Sequence, residues 1–388
     1  MTFAITPLST FPKGPVAEFL AFIEWRDDGV VLGDRAARVV DFVADPTLVS
    51  VTRGVGENSH IITVRKLLTS ALRCLNGPQW TSRTVPDSRT WHAVAFGFDT
   101  FVIFGTNFGT SRPCSVYSTD GGVNWTTSPT TFPSLGGVGA DVGVRERMLA
   151  FGAGQFIAIG NNKEIYSNDG INWTVGGANT FAGTPTSFFF DGTQFVLVCS
   201  ATDKLYTSPG NGAYTERTLP AGDAWSAGGI GAGRLIVAAS LATAKSDNGG
   251  VTWTAGGNLP ADLGTGVWSI AYGNGVWVAV PGGSVTQLYY STDGGATWAL
   301  TNTLNASAQQ YARVRYIGGI FYVGEFSGGN SCYKSTDGIT WTVANAFVSM
   351  PTLFSIDWDG GVMGGGFVYA AVGTPDGNTT TVNSGVCG

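Results

Sequence analysis

Tyr117-Ser-Thr-Asp-Gly-Gly-Val-Asn-Trp125 recurs as Tyr290-Ser-Thr-Asp-Gly-Gly-Ala-Thr-Trp298, and this repeat decides the fold. Altered copies are Tyr166-Ser-Asn-Asp-Gly-Ile-Asn-Trp173, Lys245-Ser-Asp-Asn-Gly-Gly-Val-Thr-Trp253 and Lys334-Ser-Thr-Asp-Gly-Ile-Thr-Trp341. A degraded copy, Tyr206-Thr-Ser-Pro-Gly-Asn-Gly-Ala-Tyr214, keeps the turn residues and the closing aromatic. Asp-Gly between two strand-like runs signals a tight hairpin: glycine accepts positive φ and aspartate bonds to nearby amides. The Trp that follows opens the next strand, where a large flat ring can pack between neighbouring sheets.

A second half-repeat precedes each box. Ala95-Phe-Gly-Phe-Asp-Thr-Phe-Val-Ile-Phe-Gly105 matches Ala150-Phe-Gly-Ala-Gly-Gln-Phe-Ile-Ala-Ile-Gly160 and Ala271-Tyr-Gly-Asn-Gly-Val-Trp-Val-Ala-Val280. Each reads as strand, glycine turn, strand. Two hairpins per repeat make four strands, the unit of a propeller blade. The closing aromatics stand at 125, 173, 214, 253, 298 and 341, so neighbours lie 39 to 48 residues apart, the spacing of four-stranded blades.

These observations predict an all-β chain: a seven-bladed β-propeller with Asp-box hairpins, preceded by a small α+β N-terminal module. The seventh blade would begin at Leu353-Phe-Ser-Ile-Asp-Trp358 and run to the chain end. Its missing outer strand would come from 76–84, where Asn76-Gly-Pro-Gln-Trp80 resembles half a box, so Asn76 and Trp80 are assigned to ring closure. The propeller then spans 76–388, and residues 1–75 form an anchoring or assembly module. Within it, Pro15–Trp25 reads as a short amphipathic helix after a Pro/Gly turn, 34–42 as a second, and 59–75 carries mixed signals. The seam would bring Cys74 near Cys387, both read as free thiols.

Bulk chemistry narrows the function. The 388 residues carry a net charge of -6 with no Lys/Arg cluster, which argues against nucleic-acid binding. No apolar run is long enough for a membrane span. The two histidines, His60 and His92, and the five scattered cysteines show no metal-ligand spacing. Neither a metal nor a cofactor is expected, and no P-loop, GxSxG or HExxH motif occurs. The N-terminus lacks the pattern of a secretory signal, so synthesis in a cytoplasm is expected.

The boxes resemble the Asp-box (BNR) repeat, Ser-x-Asp-x-Gly-x-x-Trp, of sialidases, sortilin-type receptors, photosystem assembly factors and phage and bacterial surface proteins. The resemblance covers roughly 80–388. It implies a propeller in which the box is a structural turn away from the functional face. Asp120, Trp125, Asp169, Trp173, Asn248, Trp253, Asp293, Trp298, Asp337 and Trp341 are therefore assigned to structure. A sialidase-like exo-glycosidase would need an arginine triad, a Tyr/Glu pair and an acid/base Asp. Arginines and glutamates are few, Arg112-Pro113 matches the family's arginine segment only in part, and Glu146 is the best catalytic candidate. The balance favours a non-enzyme.

Binding is expected on long loops opposite the boxes. There Trp91, Trp225, Trp268 and Tyr311 begin inner strands, with Arg112 nearby; the aromatics either form a sugar-stacking or protein-docking ring or plug the central channel. The leading expectation is a phage virion surface protein in an oligomeric assembly. Residues 1–75 would join it to other virion proteins, and the propeller would bind a host-surface glycan or protein. The alternatives are the glycosidase and a capsid or tail decoration protein without a ligand.

Overall fold

The computed structural model describes residues 2–7, 21–27, 30–33, 79–106, 113–130, 132, 148–160, 163–178, 180–210, 212–260, 266–317, 319–327, 331–344, 355–358, 367–372 and 379–387. The chain divides into two compact units. The smaller holds Met1–Gly77, Gly361–Phe367 and Val386–Gly388, and the larger Pro78–Gly360 and Val368–Gly385.

In the smaller unit, β1 (Thr2–Pro7), β2 (Ala21–Asp27) and β3 (Val30–Gly33) form a three-stranded sheet in that order. Phe3 lies opposite Trp25 and Asp27 opposite Val30. This corrects the α+β expectation, because no helix occurs among the described residues of 1–75. The helix read over 15–25 is overturned where strand 21–27 replaces it. Phe22, Ile23 and Trp25 are residues that favour strands, and Asp28-Gly29 ahead of Val30-Val31-Leu32 is a hairpin signal that the helical pattern obscured. The segments 34–42 and 59–75 lie outside the described residues.

The larger unit is a β-propeller of antiparallel sheets. Along the chain come β4 (Gln79–Gly97), β5 (Thr100–Thr106), β6 (Pro113–Ser118) and β7 (Thr126–Thr127), then β8 (Leu149–Gly152), β9 (Gln155–Gly160), β10 (Lys163–Ser167) and β11 (Thr174–Ala178). Next are β12 (Thr184–Phe190), β13 (Phe195–Ser200), β14 (Thr202–Ser208) and β15 (Thr215–Asp223), followed by β16 (Ala227–Gly231), β17 (Arg234–Ala238), β18 (Thr243–Ser246) and β19 (Thr254–Ala255). Then come β20 (Val267–Gly273), β21 (Val276–Pro281), β22 (Tyr289–Ser291) and β23 (Ala299–Leu300), and β24 (Gln310–Ile317), β25 (Ile320–Ser327), β26 (Cys332–Ser335) and β27 (Thr342–Val343). The last are β28 (Ser355–Trp358), β29 (Phe367–Val372) and β30 (Thr379–Cys387).

The propeller has six sheets, not the seven expected. Five are four-stranded, and one is a seven-stranded sheet in the order β28-β29-β30-β4-β5-β6-β7. The physical reason is β4, a 19-residue strand that lies between β30 and β5 in a single hydrogen-bonded order. The segments expected as separate first and last blades are thereby one sheet. Trp80 lies in β4; Asn76 and Cys74 fall outside the described residues.

Neighbouring sheets meet through a repeated aromatic-on-glycine contact. First strands end in Phe96-Gly97, Phe151-Gly152 and Tyr272-Gly273, and the rings of Phe151 and Tyr272 sit where the glycine of the preceding sheet leaves room. A Cβ on Gly97, Gly152, Gly231 or Gly273 would fall inside the ring of Phe151, Phe190, Tyr272 or Tyr316. Where the glycine is missing, at Asp191, the following sheet carries Ile230 in place of a ring. Both partners change together.

Polar stitches join the sheets at two further levels. Hydroxyls on or beside first strands bond to the next sheet: Thr186 Oγ1 donates to Trp225 O (2.9 Å), Ser226 Oγ to Val267 O (2.6 Å), and Val314 N donates to Ser269 Oγ (3.2 Å). Side chains at or just after the first hairpin turn reach the box of the following sheet. Gln194 Nε2 donates to Gly249 O (2.6 Å), Arg234 Nη1 to Gly294 O (2.8 Å) and Asn274 Nδ2 to Thr336 O (3.2 Å). The apolar core lies between sheets, as where Trp173 meets Phe104 edge-on at 4.6 Å.

Candidate functional site

The boxes show what their polar atoms do. Ser118 Oγ donates to Asp120 Oδ1 (2.8 Å), which also accepts from Val123 N (3.1 Å) and Asn124 N (2.9 Å), while Gly122 N donates to Ser118 Oγ (2.8 Å). Trp125 Nε1 closes the turn onto Gly122 O at 3.0 Å. The serine and amide bonds to the carboxylate recur around Asp169, Asp293 and Asp337, and the indole closure recurs at Trp253 and Trp341. At Asn248 the amide oxygen takes the carboxylate's place, accepting from Ser246 Oγ and Thr252 N, each at 2.9 Å.

Burial alone would raise the carboxyls of Asp120, Asp169 and Asp337, but their turn hydrogen bonds outweigh it and hold them below the ordinary value. Asp293, bonded chiefly by the Thr297 hydroxyl and amide, is held down to about 2. These acids are engaged within their own turns. The box tryptophans Trp125, Trp173, Trp253, Trp298 and Trp341 are all buried.

The aromatic ring read from sequence is placed mostly in the interior. Trp91, Trp225 and Tyr311 are 0%, 2% and 0% exposed, and Trp268 is half-buried. An open stacking ring of the four is thus corrected, because each sheet needs large apolar bodies at the start of its first strand to fill the space against its neighbour. Arg112 and Glu146 lie outside the described residues, as does most of the loop 126–144.

Two glutamates that the sequence left without a role are buried beside tyrosines. Tyr214 donates its hydroxyl to Glu164 Oε2 (2.5 Å), and burial raises the Glu164 carboxyl above its usual value against that bond. Glu325, opposite Tyr311 across β24 and β25, accepts from Tyr333 (3.0 Å), Asn305 Nδ2 (3.2 Å) and Ser331 N (3.3 Å). Both acids tie loops or outer strands to their sheets. The Cys199 and Cys332 thiols are buried and free, and burial pushes each up to about 12.

A concavity lies on the first strands of four successive sheets, β12, β16, β20 and β24. It is a cavity of about 170 Å³ lined by, among others, Ser187, Phe189, Ile230, Ile270, Tyr272, Arg313 and Arg315. Arg313 is 7% exposed and Arg315 half-buried; each also interacts within the protein. No Asp or Glu is among the described lining residues. The sequence signal for this site was slight: Arg313-Val-Arg315 places two cations on one side of a strand by the two-residue period. Among the described residues no group of three or more His, Cys, Asp or Glu could hold a metal ion. No helix among them is long and apolar enough to cross a membrane.

Comparison with known proteins fits this picture. A family profile described as BNR/Asp-box repeat matches residues 289–300. No curated protein matches the sequence. Among solved structures, YCF48 bound to D1 peptide superposes with a TM-score of 0.57 at 13% identity, covering 79% of this chain and 94% of that one. YCF48 from Cyanidioschyzon merolae gives 0.55 at 14%, covering 79% and 98%. Virginiamycin B lyase from Staphylococcus aureus gives 0.56 at 13%, covering 79% and 99%. At such identities the likeness is one of fold. The chain is a β-propeller that carries a BNR/Asp-box repeat.

Proposed function

We propose that this chain is a non-catalytic, ligand-binding propeller whose ligand enters the cavity bordered by β12, β16, β20 and β24. The observation that carries the reading is a concave, part-apolar cavity whose described lining comes from four successive sheets and includes Arg313 and Arg315 beside Phe189, Ile270 and Tyr272, the composition of a binding pocket. Glycoside hydrolysis in its usual form needs two carboxyl groups across the scissile bond. The buried acids are instead bonded to tyrosines, Glu164 to Tyr214 beside the following sheet and Glu325 to Tyr333 of its own. A similar fold holds a peptide in YCF48 bound to D1 peptide, which supports ligand binding by this architecture.

The finer proposal is display on a phage particle, with residues 1–75 joined to other virion proteins and a host-surface glycan or protein as ligand. Its support is the resemblance of the boxes to those of surface-displayed propellers and the non-repeat segment ahead of them. The test uses the intact chain on glycan and peptide arrays, with a glycosidase substrate panel run beside them. Saturable binding without turnover is expected. Turnover of any glycoside would replace the binding reading with an enzymatic one.

A further inference from the structure

Asparagine is a chemically labile residue, and most so before glycine, which has no Cβ to block the approach of its own backbone. The glycine nitrogen attacks the asparagine side-chain carbonyl carbon. A C–N bond forms there, ammonia leaves, and water then opens the cyclic imide to aspartate or isoaspartate. For the attack the side-chain amide has to swing free of its hydrogen bonds. Asn-Gly pairs begin at 76, 211, 248 and 274; Asn76 and Asn211 lie outside the described residues.

The other two hold their amides in opposite ways. In the box turn, Asn248 Oδ1 accepts from Ser246 Oγ and Thr252 N, each at 2.9 Å, and its Nδ2 donates to Thr252 Oγ1 at 2.8 Å. Asn274 has a single side-chain bond, Nδ2 to Thr336 O at 3.2 Å. Asn274 and Gly275 are both exposed, with φ of 48° and 79°, and nothing lies within 4 Å of where a Gly275 Cβ would stand. The equivalent turns of two other sheets are Ala153-Gly154 and Ala232-Gly233, with φ of 48° and 72° and of 49° and 76°. The turn therefore needs no asparagine; what Asn274 adds is the one bond to the box of the next sheet.

We propose that Asn274 is a site of spontaneous deamidation in the folded protein, and that its conversion unties the β20–β21 hairpin from the Asp337 box. The carboxylate product has no hydrogen to donate to Thr336 O and sets negative charge against that carbonyl. Isoaspartate also adds a backbone carbon to a two-residue turn. Tyr272, two residues before Asn274 on β20, lines the cavity with Ile270 of the same strand, so a slow change at an exposed turn reaches the cavity wall. This holds whether or not the cavity is the ligand site.

The test is peptide-mapping mass spectrometry of the intact chain aged in warm, mildly alkaline buffer, with a urea-unfolded sample aged beside it. Unfolded, the two pairs should react at similar rates. Folded, Asn274 should convert at least about tenfold faster than Asn248, because two further hydrogen bonds have to break at Asn248. Hydrogen exchange of the β20–β21 hairpin amides reads the consequence. In Asn274→Asp and in the aged chain it should run about fivefold faster than in the fresh chain, the effect of one lost hydrogen bond. Asn274→Ala, which suits the turn conformation and cannot deamidate, should show no change on ageing.

Equal rates at the two pairs in the folded chain, earlier reaction at Asn248, or an intact Asn274 after the unfolded sample has reacted would each overturn the site. Unaltered hairpin exchange in Asn274→Asp, or an ageing effect that persists in Asn274→Ala, would overturn its link to the hairpin.

Discussion

The Asp-box turns and the first-strand cavity use polar residues in opposite ways. In a box, Ser291, Asp293 and Thr297 bond to one another and to the amides they surround, and the tryptophan that follows is buried. At the cavity, two arginines border a concave space together with residues of three other sheets. A set of groups closed within one turn stabilises that turn; a concave space between sheets can receive something that arrives. The lesson is that the most recognisable motif in this chain is the part least able to meet a ligand.

The largest effect that would test this contrast is Trp298→Ala. Removing a buried indole should cost about 4 kcal/mol in chemical denaturation, while leaving affinity for any ligand found on the arrays unchanged in whatever protein stays folded. Loss of affinity in that folded fraction would break the separation of box from cavity. Next is Gly231→Ala, whose new methyl would lie inside the Tyr272 ring. Overpacking should cost about 2 kcal/mol and, because Tyr272 also lines the cavity, should weaken binding of that ligand as well. A stability loss with no binding change would show that the ring moves without disturbing the cavity.

Smaller effects separate the two kinds of carboxylate. Asp293→Ala removes an acceptor of several turn hydrogen bonds and should cost about 1.5 kcal/mol, whereas Asp293→Asn should cost about 0.5 kcal/mol, since Asn248 serves the same turn elsewhere. The folded Asp293 carboxyl is held down to about 2, below the ordinary aspartate value. Its contribution is therefore present above about pH 4 and lost as pH falls toward 2. An unfolding midpoint measured across that window should fall more in the native chain than in Asp293→Asn. Glu164 has the opposite sign: burial raises its folded value, so it stabilises at low pH and that contribution is lost as pH rises through the raised value. Glu164→Gln should raise the melting temperature slightly at pH 8 and less at pH 4; a uniform change at both would refute burial as the cause.

How much was legible in the chain depends on how local the cause is. The hairpins were legible because Asp-Gly turns and the alternation around them act over a few residues. The sheet count was not: whether 79–97 makes one strand or two depends on β30, which lies beside it in space and far along the chain. At 21–27 the helix reading failed because the partner strand, Thr2–Pro7, is likewise supplied from a distance. The burial of Trp91, Trp225 and Tyr311 was open in sequence, since an aromatic at the start of an inner strand suits either a stacking surface or a packed interface.

What the sequence determined by itself is the repeat: its turn chemistry, its four-strand unit and the aromatic-glycine pairs that close three of the first strands. Phe96-Gly97, Phe151-Gly152 and Tyr272-Gly273 stand in the chain for anyone to read. Only the tertiary structure decided that the rings of Phe151 and Tyr272 seat on the glycines of the sheet before, that two end segments share one sheet, and that Arg313 and Arg315 border a common cavity with Phe189 and Ile270. The reason is physical. Turns and strand periods follow from the covalent chain within a few residues, whereas a cavity exists only where separate sheets meet, and no local preference encodes what faces it.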